Sequence, residues 1–328
     1  MEAIYAARSG DFQRLQGLVN LGIDLQARDE HGLTALSWAC GAGQPACAQL
    51  LIDAKADMEA KSLSDTTPLS WASADGNTAC VQLLIDAKVN VNTRVRSGDT
   101  ALFGAACNGH AACVKLLLDA KAKTDMKNRN DITPLTQAAH NGHDACVKLL
   151  ISAKATLEVE GTAIAPPLSW AAFKGHTKCV QLLVDAKASI DARTREGGTA
   201  LSQAAREGHA PCVQILLDAK ANIEVVDQDC MTPLLWAADN GHSECVQLLI
   251  KAKANTSAEN FEKLAALSLA CLGGHNTCVQ LLVDAKSNIE ARNRYGMTPM
   301  ICAAYNGHIP CVQTLIDAKA NMDAITNA

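Results

Sequence analysis

Between Thr232 and Ala254 the apolar residues fall into two stripes of helical period, divided by a glycine. Leu234, Ala237 and Ala238 recur at intervals of three and four, which marks the inner face of a short helix. Trp236 falls on the opposite side of that helix, between Asp239 and Asn240. Thr232 followed by Pro233 is a helix-start signal, and Gly241 a stop. Cys245, Val246, Leu248, Leu249 and Ile250 then give a second helix one broad apolar face. The run ANIEVVDQDCM that follows alternates or turns, as an extended connector or a hairpin does.

The same pattern returns along the whole chain. Gly-His recurs at 109, 142, 175, 208, 241, 274 and 307, with Gly43-Gln44 and Gly76-Asn77 continuing the series at the same 33-residue step. Cysteine keeps that step at 47, 80, 113, 146, 179, 212, 245, 278 and 311. A fixed period of this size is the mark of a stacked array, in which each unit buries its apolar face only against its neighbours.

A unit of 33 residues that starts T-P-L, turns at Gly-His and continues as VQLLI resembles the ankyrin repeat. Thr67-Pro68-Leu69, Thr133-Pro134-Leu135, Thr232-Pro233-Leu234 and Thr298-Pro299-Met300 carry the resemblance. It implies an all-α fold, an ankyrin-repeat solenoid of stacked helix-turn-helix units with hairpin-like loops. One array over 1–328 is expected, with units starting near 1, 34, 67, 100, 133, 166, 199, 232, 265 and 298. Residues 1–33 read as the N-terminal cap, with Asp11, Gln13, Arg14 and Gln16 at positions that are more apolar elsewhere. Residues 298–328 read as the C-terminal cap, where Thr314 replaces a recurrent Leu.

Three departures from the family pattern stand out. The histidine that follows T-P-L in the family is replaced by Ser37, Ser70, Phe103, Thr136, Ser169, Ser202, Leu235, Ser268 and Ile301. The loops 158–168 and 257–267 lack the usual turn residues, so poorly formed hairpins are expected there. Where the family turns left-handed on glycine, Gly22 is followed in the later units by Lys55, Lys88, Lys121, Lys154, Lys187, Lys220, Lys253, Lys286 and Lys319. A side chain in that region costs about 1–2 kcal/mol.

Bulk composition narrows the function. Hydrophobic residues make up 48% and charged residues 19%, enough for a large core. A net charge of −5 argues against nucleic acid as a partner. No apolar run approaches a membrane span, and the start MEAIYAARSG is no signal peptide. Fourteen cysteines without an export signal suggest free thiols and a cytoplasmic or nuclear location.

His176 lies three residues before Cys179, a spacing that raises metal binding and Cys-His catalysis. Stacked helices sit about 8–10 Å apart, too far for equivalent cysteines to form a disulfide or share one ion. A thiol repeated nine times along an array is therefore read as a small buried hydrophobe, and the histidine as a turn residue. Cys230 falls at a hairpin tip and is the expected exposed thiol. No catalytic residue, metal ligand set or cofactor is expected.

Only 3% of the chain is aromatic, yet all four tryptophans share one position of the unit: Trp38, Trp71, Trp170 and Trp236. Tyr5 holds it in the first unit, and His140, Phe173 and Tyr305 lie one turn on, along the expected concave groove. Such residues can anchor a partner, lean on neighbouring helices, or do both. Cations that include Arg94, Arg96 and Arg129 enter the loops, where they solvate the tips or meet an acidic segment. The expected function is a non-catalytic scaffold or adaptor, a monomer that binds another protein. The alternative is a repeat region of a larger enzyme or channel.

Overall fold

The computed structural model describes residues 1–158 and 165–326. These residues form twenty α-helices and no strand, with one isolated bridge between Glu259 and Ala265. The chain divides into two compact units, Met1–Leu157 and Glu158–Ala328. Within each unit the helices come in pairs, a first helix of seven or eight residues and a second of nine, and each first helix packs on the first helix of the next repeat. Helices this short are marginal alone in water, so packing supplies their stability.

The sequence sets where each helix begins. Ser37 donates its N–H to Thr34 Oγ1 at 3.2 Å, and Ser70, Phe103, Thr136, Ser202, Leu235 and Ile301 do the same at Thr67, Thr100, Thr133, Thr199, Thr232 and Thr298. At these seven positions the backbone N–H completes the helix cap whatever the side chain. Ser70 Oγ also accepts from Thr67 N–H at 2.8 Å, closing a capping box.

Inside the first unit, Leu36, Leu69, Leu102 and Leu135 of the first helices and Leu51, Leu84, Leu117 and Leu150 of the second are all buried. Leu168, Leu201, Leu234 and Leu267, with Leu183, Leu216, Leu249 and Leu282, are likewise buried in the second unit. Full burial of such a side chain contributes about 1.5–3 kcal/mol.

Each second helix ends as the lysines require. All nine, Lys55 to Lys319, are left-handed with φ between 60° and 67°. At Lys187 the N–H donates to Val184 O at 2.9 Å and Ala188 N–H to Leu183 O at 3.0 Å, the double bond of a Schellman turn.

The Gly-His turn joins neighbouring repeats. His143 Nε2 lies 2.9 Å from Cys107 O, at the end of the preceding first helix. His209, His242, His275 and His308 repeat this on Phe173, Arg206, Asp239 and Leu272, at 2.9–3.0 Å. A ring nitrogen facing a carbonyl must donate, which fixes the Nε2–H tautomer. The preceding glycine is required twice over: Gly109 has φ 77°, and a Cβ there would sit 2.6 Å from the His143 ring.

The loops make a turn of their own, then pair tip to tip. Asp29 N–H donates to Leu33 O at 3.0 Å and Asn128 N–H to Ile132 O at 3.0 Å. Leu63, Arg96 and Arg129 donate their N–H groups to His31, Ser64 and Ser97 carbonyls at 3.0 Å each. The same pairing joins Gln228 to Glu196 and Arg294 to Glu262 in the second unit. The expectation of a poorly formed hairpin at 257–267 is not met. Asn260 N–H donates to Leu264 O at 3.1 Å, and Asn260 Oδ1 accepts from Glu262 and Leu264 N–H at 2.9 and 3.0 Å. One amide side chain replaces the missing turn residues. The other loop expected to be irregular, 158–168, lies at 159–164 outside the described residues.

Candidate binding surface

Burial raises most of the recurrent thiols, while a hydrogen bond with Cys40 lowers Cys80. None of the fourteen cysteines forms a disulfide, and the nine of the 33-residue series are buried. Burial pushes the Cys146 and Cys278 thiols up to about 11, and Cys245 to about 12. Cys40 is held well above the thiol range by its hydrogen bond to Cys80 and by burial. Thiols so protonated are poor nucleophiles and poor ligands. Among the described residues no three His, Cys, Asp or Glu side chains converge as metal ligands. Cys230 is the exposed cysteine, at a left-handed hairpin tip with φ 59°.

The aromatic residues are placed differently. In the first unit Tyr5 is 60% exposed, while Trp38 and Trp71 are half-buried and meet edge to face, ring centroids 4.9 Å apart. Trp38 Nε1 donates to Asp29 Oδ2 at 2.7 Å, and the Arg8 guanidinium covers the ring at 4.4 Å. Trp71 lies against Gly41, where an added Cβ would stand 2.4 Å from the indole. In the second unit Trp236 repeats the first arrangement: Nε1 to Asp227 Oδ2 at 2.7 Å, Arg206 over the ring at 4.5 Å. Trp170 packs edge to face on Phe173 at 5.9 Å. Tyr305 is 83% exposed. His140, half-buried, has Nδ1 2.8 Å from Asn141 Oδ1.

A rule emerges that the sequence spacing held unread. The residue 30 places before the tryptophan, one turn on in the preceding first helix, is what the indole rests on: Arg8, Gly41 and Arg206. The hairpin residue nine places before it, Asp29 or Asp227, takes the indole N–H. Burial raises the Asp29 carboxyl, but bonds from Leu33 N–H, the Trp38 indole and His31 N–H outweigh it and leave the group below its ordinary 3.8. The tryptophans are therefore part scaffold: all four rings are half-buried, and Trp38 and Trp236 also have their polar handle held.

Two cavities open beside them in the first unit. One, of about 460 Å³, is walled by Tyr5, Arg8, Asp29, Glu30, His31 and Trp38. The other, of about 330 Å³, lies between Trp71 and the hairpin residues His31, Ser62 and Ser64.

The loop cations do mixed duty. Arg94 Nη1 donates to Gly98 O at 3.5 Å and to Lys127 O in the next repeat at 2.7 Å. Arg28, Arg193 and Arg292 reach the glycine four residues on and the carbonyl 33 residues on in the same way. Gly98 suits this brace, with φ 87° and Arg129 N only 2.9 Å from where a Cβ would sit. Arg96 and Arg129 are exposed at the tips, and Arg96 Nε lies 3.8 Å from Asp65 Oδ2. Sequence reasoning missed a further tip cluster, in which Arg294 lies over Phe261 at 5.9 Å and over Tyr295 at 5.5 Å.

The family model for "Ankyrin repeats (3 copies)" matches residues 3–95, 69–161, 168–260 and 234–326. No curated protein matches the chain.

Proposed function

Because the chain belongs to the ankyrin-repeat family, whose repeats are generally protein–protein interaction modules, we propose that it is a non-catalytic scaffold or adaptor binding another protein. Ten repeats, with 1–33 and 298–328 as caps, would each present a first helix and a hairpin tip for binding.

The aromatic-walled cavities of the first unit carry this reading. Tyr5, Trp38 and Trp71 offer large rings, beside the polar walls of Arg8, Glu30 and His31. Rings already held by Asp29 and Gly41 lose little freedom on binding, so less of the contact energy is lost to ordering. Trp170, Phe173, Trp236, His140 and Tyr305 extend the set, and Arg96 and Arg129 add exposed cations at the tips. Arg94 supports the tips from behind, through its bond to Lys127 O. No helix of the described residues is long and apolar enough to cross a membrane. A monomeric, cytoplasmic or nuclear protein is the setting this reading assumes.

The test is affinity capture from a native extract, comparing the wild type with Trp38→Ala/Trp71→Ala/Trp170→Ala and with Tyr5→Ala. Tyr5 is exposed, so its variant keeps the fold. Loss of the captured protein with both variants, at an unchanged melting temperature for Tyr5→Ala, is the expected result. Melting that collapses in the triple variant while the same protein still binds would defeat it.

A further inference from the structure

The repeats are near copies, so the places where they differ are informative. One surface position of the second helix carries Gln49, Gln82, Gln181, Gln214, Gln280 and Gln313, and each amide donates to the aspartate four residues on at 2.7–2.9 Å. Two adjacent repeats of the first unit break the rule, with Lys115 in helix Ala111–Asp119 and Lys148 in helix Asp144–Ser152. The aspartate is also gone from the second of these, where Ser152 stands. In the turn between them Lys123 replaces the usual Asn, Asp, Ser or Thr of Asn90, Asp57, Ser189 and Thr156. Each of these four departures adds a positive charge or removes a negative one, in a chain whose net charge is −5.

Three of the four changes, Lys115, Lys123 and Ser152, line one cleft of about 580 Å³. Lys115, Lys121 and Lys123 line it with Ser152, over an apolar floor of Leu118 and Leu149. Asp119 is the acid at its edge. Lys148 stands one turn before Ser152, whose hydroxyl donates to Lys148 O at 2.9 Å. Among the described residues, none of these lysines lies in an ion pair. Lys121 recurs in every later unit and belongs to the helix ending, but Lys115, Lys123 and Lys148 have no such structural duty.

We propose that this second-helix cleft is a separate docking site for an acidic, leucine-bearing segment of a partner protein, whose carboxylates pair with Lys115, Lys123 and Lys148 while its apolar side chains cover Leu118 and Leu149. Charge complementarity selects the occupant: unpaired cations beside an apolar floor attract a chain that carries both features. The site is built from second helices, so it does not depend on the aromatic residues of the first helices.

The probe is a fluorescein-labelled twelve-residue peptide in which Glu alternates with Leu, with the Gln-Leu peptide as comparison, measured by anisotropy on the full chain. The variant Lys115→Gln/Lys123→Asn/Lys148→Gln installs residues that other repeats already carry at these positions, and so keeps the fold. Arg195→Gln/Lys251→Gln/Lys263→Asn removes as much charge from exposed positions elsewhere. The cleft variant is expected to bind the Glu-Leu peptide about tenfold more weakly, and the control variant less than about twofold. The Tyr5→Ala protein should bind as the wild type does, which separates this site from the first-helix surface. Equal losses in the two charge variants, equal binding of the two peptides, or no binding by the wild type would each overturn the proposal.

Discussion

Replacing Lys187 by glycine should stabilise the protein, although it removes a side chain and adds no contact. Lys187 has φ 67°, and its N–H and that of Ala188 close the second helix onto Val184 and Leu183. A Cβ in this conformation costs about 1–2 kcal/mol. Glycine removes that strain but gives the unfolded chain more freedom, which returns about 0.5–1 kcal/mol. The lost ammonium near the helix carbonyls costs about another 0.3 kcal/mol at an exposed site. The net gain is about 0.5 kcal/mol, or roughly 1–2 °C of melting temperature for a body of this size. Lys187→Ala loses the charge and keeps the Cβ, so it should fall slightly below the wild type. The contrast of Gly with Ala in urea melts thus isolates the backbone strain. Lys187→Gly/Lys220→Gly/Lys286→Gly should roughly triple the effect, since separate repeats contribute almost independently. Glycine and alanine variants equally less stable than wild type would refute the argument, because the left-handed Cβ would then carry no cost.

Asp29→Asn keeps the hairpin, since Asn128 already serves the same turn, but presents an amide N–H to the Trp38 indole donor; it should cost about 1 kcal/mol at pH 7 after solvent screening. The folded carboxyl lies below 3.8, so its contribution is complete above that pH and fades as pH falls through the lowered value; the gap between Asp29→Asn and wild type in chemical melts should close there. His209→Ala leaves Phe173 O without its partner and should cost about 1 kcal/mol by denaturant melting, with no change if water replaces the ring fully. Thiol titration of the native chain should show one fast group. Cys230→Gly should abolish it and also raise stability, since φ 59° suits glycine; a fast phase that survives would place the reactive thiol elsewhere.

Much of the fold could be read from residue spacing alone. The 33-residue step located the helix pairs and Thr at the caps marked first-helix starts, while the lysine series left open whether the second helices end left-handed, as they do, or in another way. Burial of the cysteine series and exposure of Cys230 followed from the same register. What stayed hidden were contacts that cross repeats. Arg8 on Trp38 and Arg206 on Trp236 are pairs 30 residues apart, an offset that means something only once first helices are packed side by side. The loop arginines looked like solvated charge, yet Arg94 reaches a carbonyl in the next repeat because Gly98 leaves the backbone open to it. The loop 257–267 looked irregular by composition, but Asn260 alone can hold a turn of this kind.

The column of sealed thiols makes the folded state its own protection against oxidation. A sulfur that stays protonated and out of reach of oxidants is chemically quiet for as long as the helices around it hold. Once they part, twelve buried sulfurs are released together along one flexible strand. Under oxidising conditions cross-linking would then outrun refolding, and a reversible opening would become a permanent loss. In such surroundings the lifetime of this protein is set by how rarely its repeats come apart, rather than by how favourably they go together.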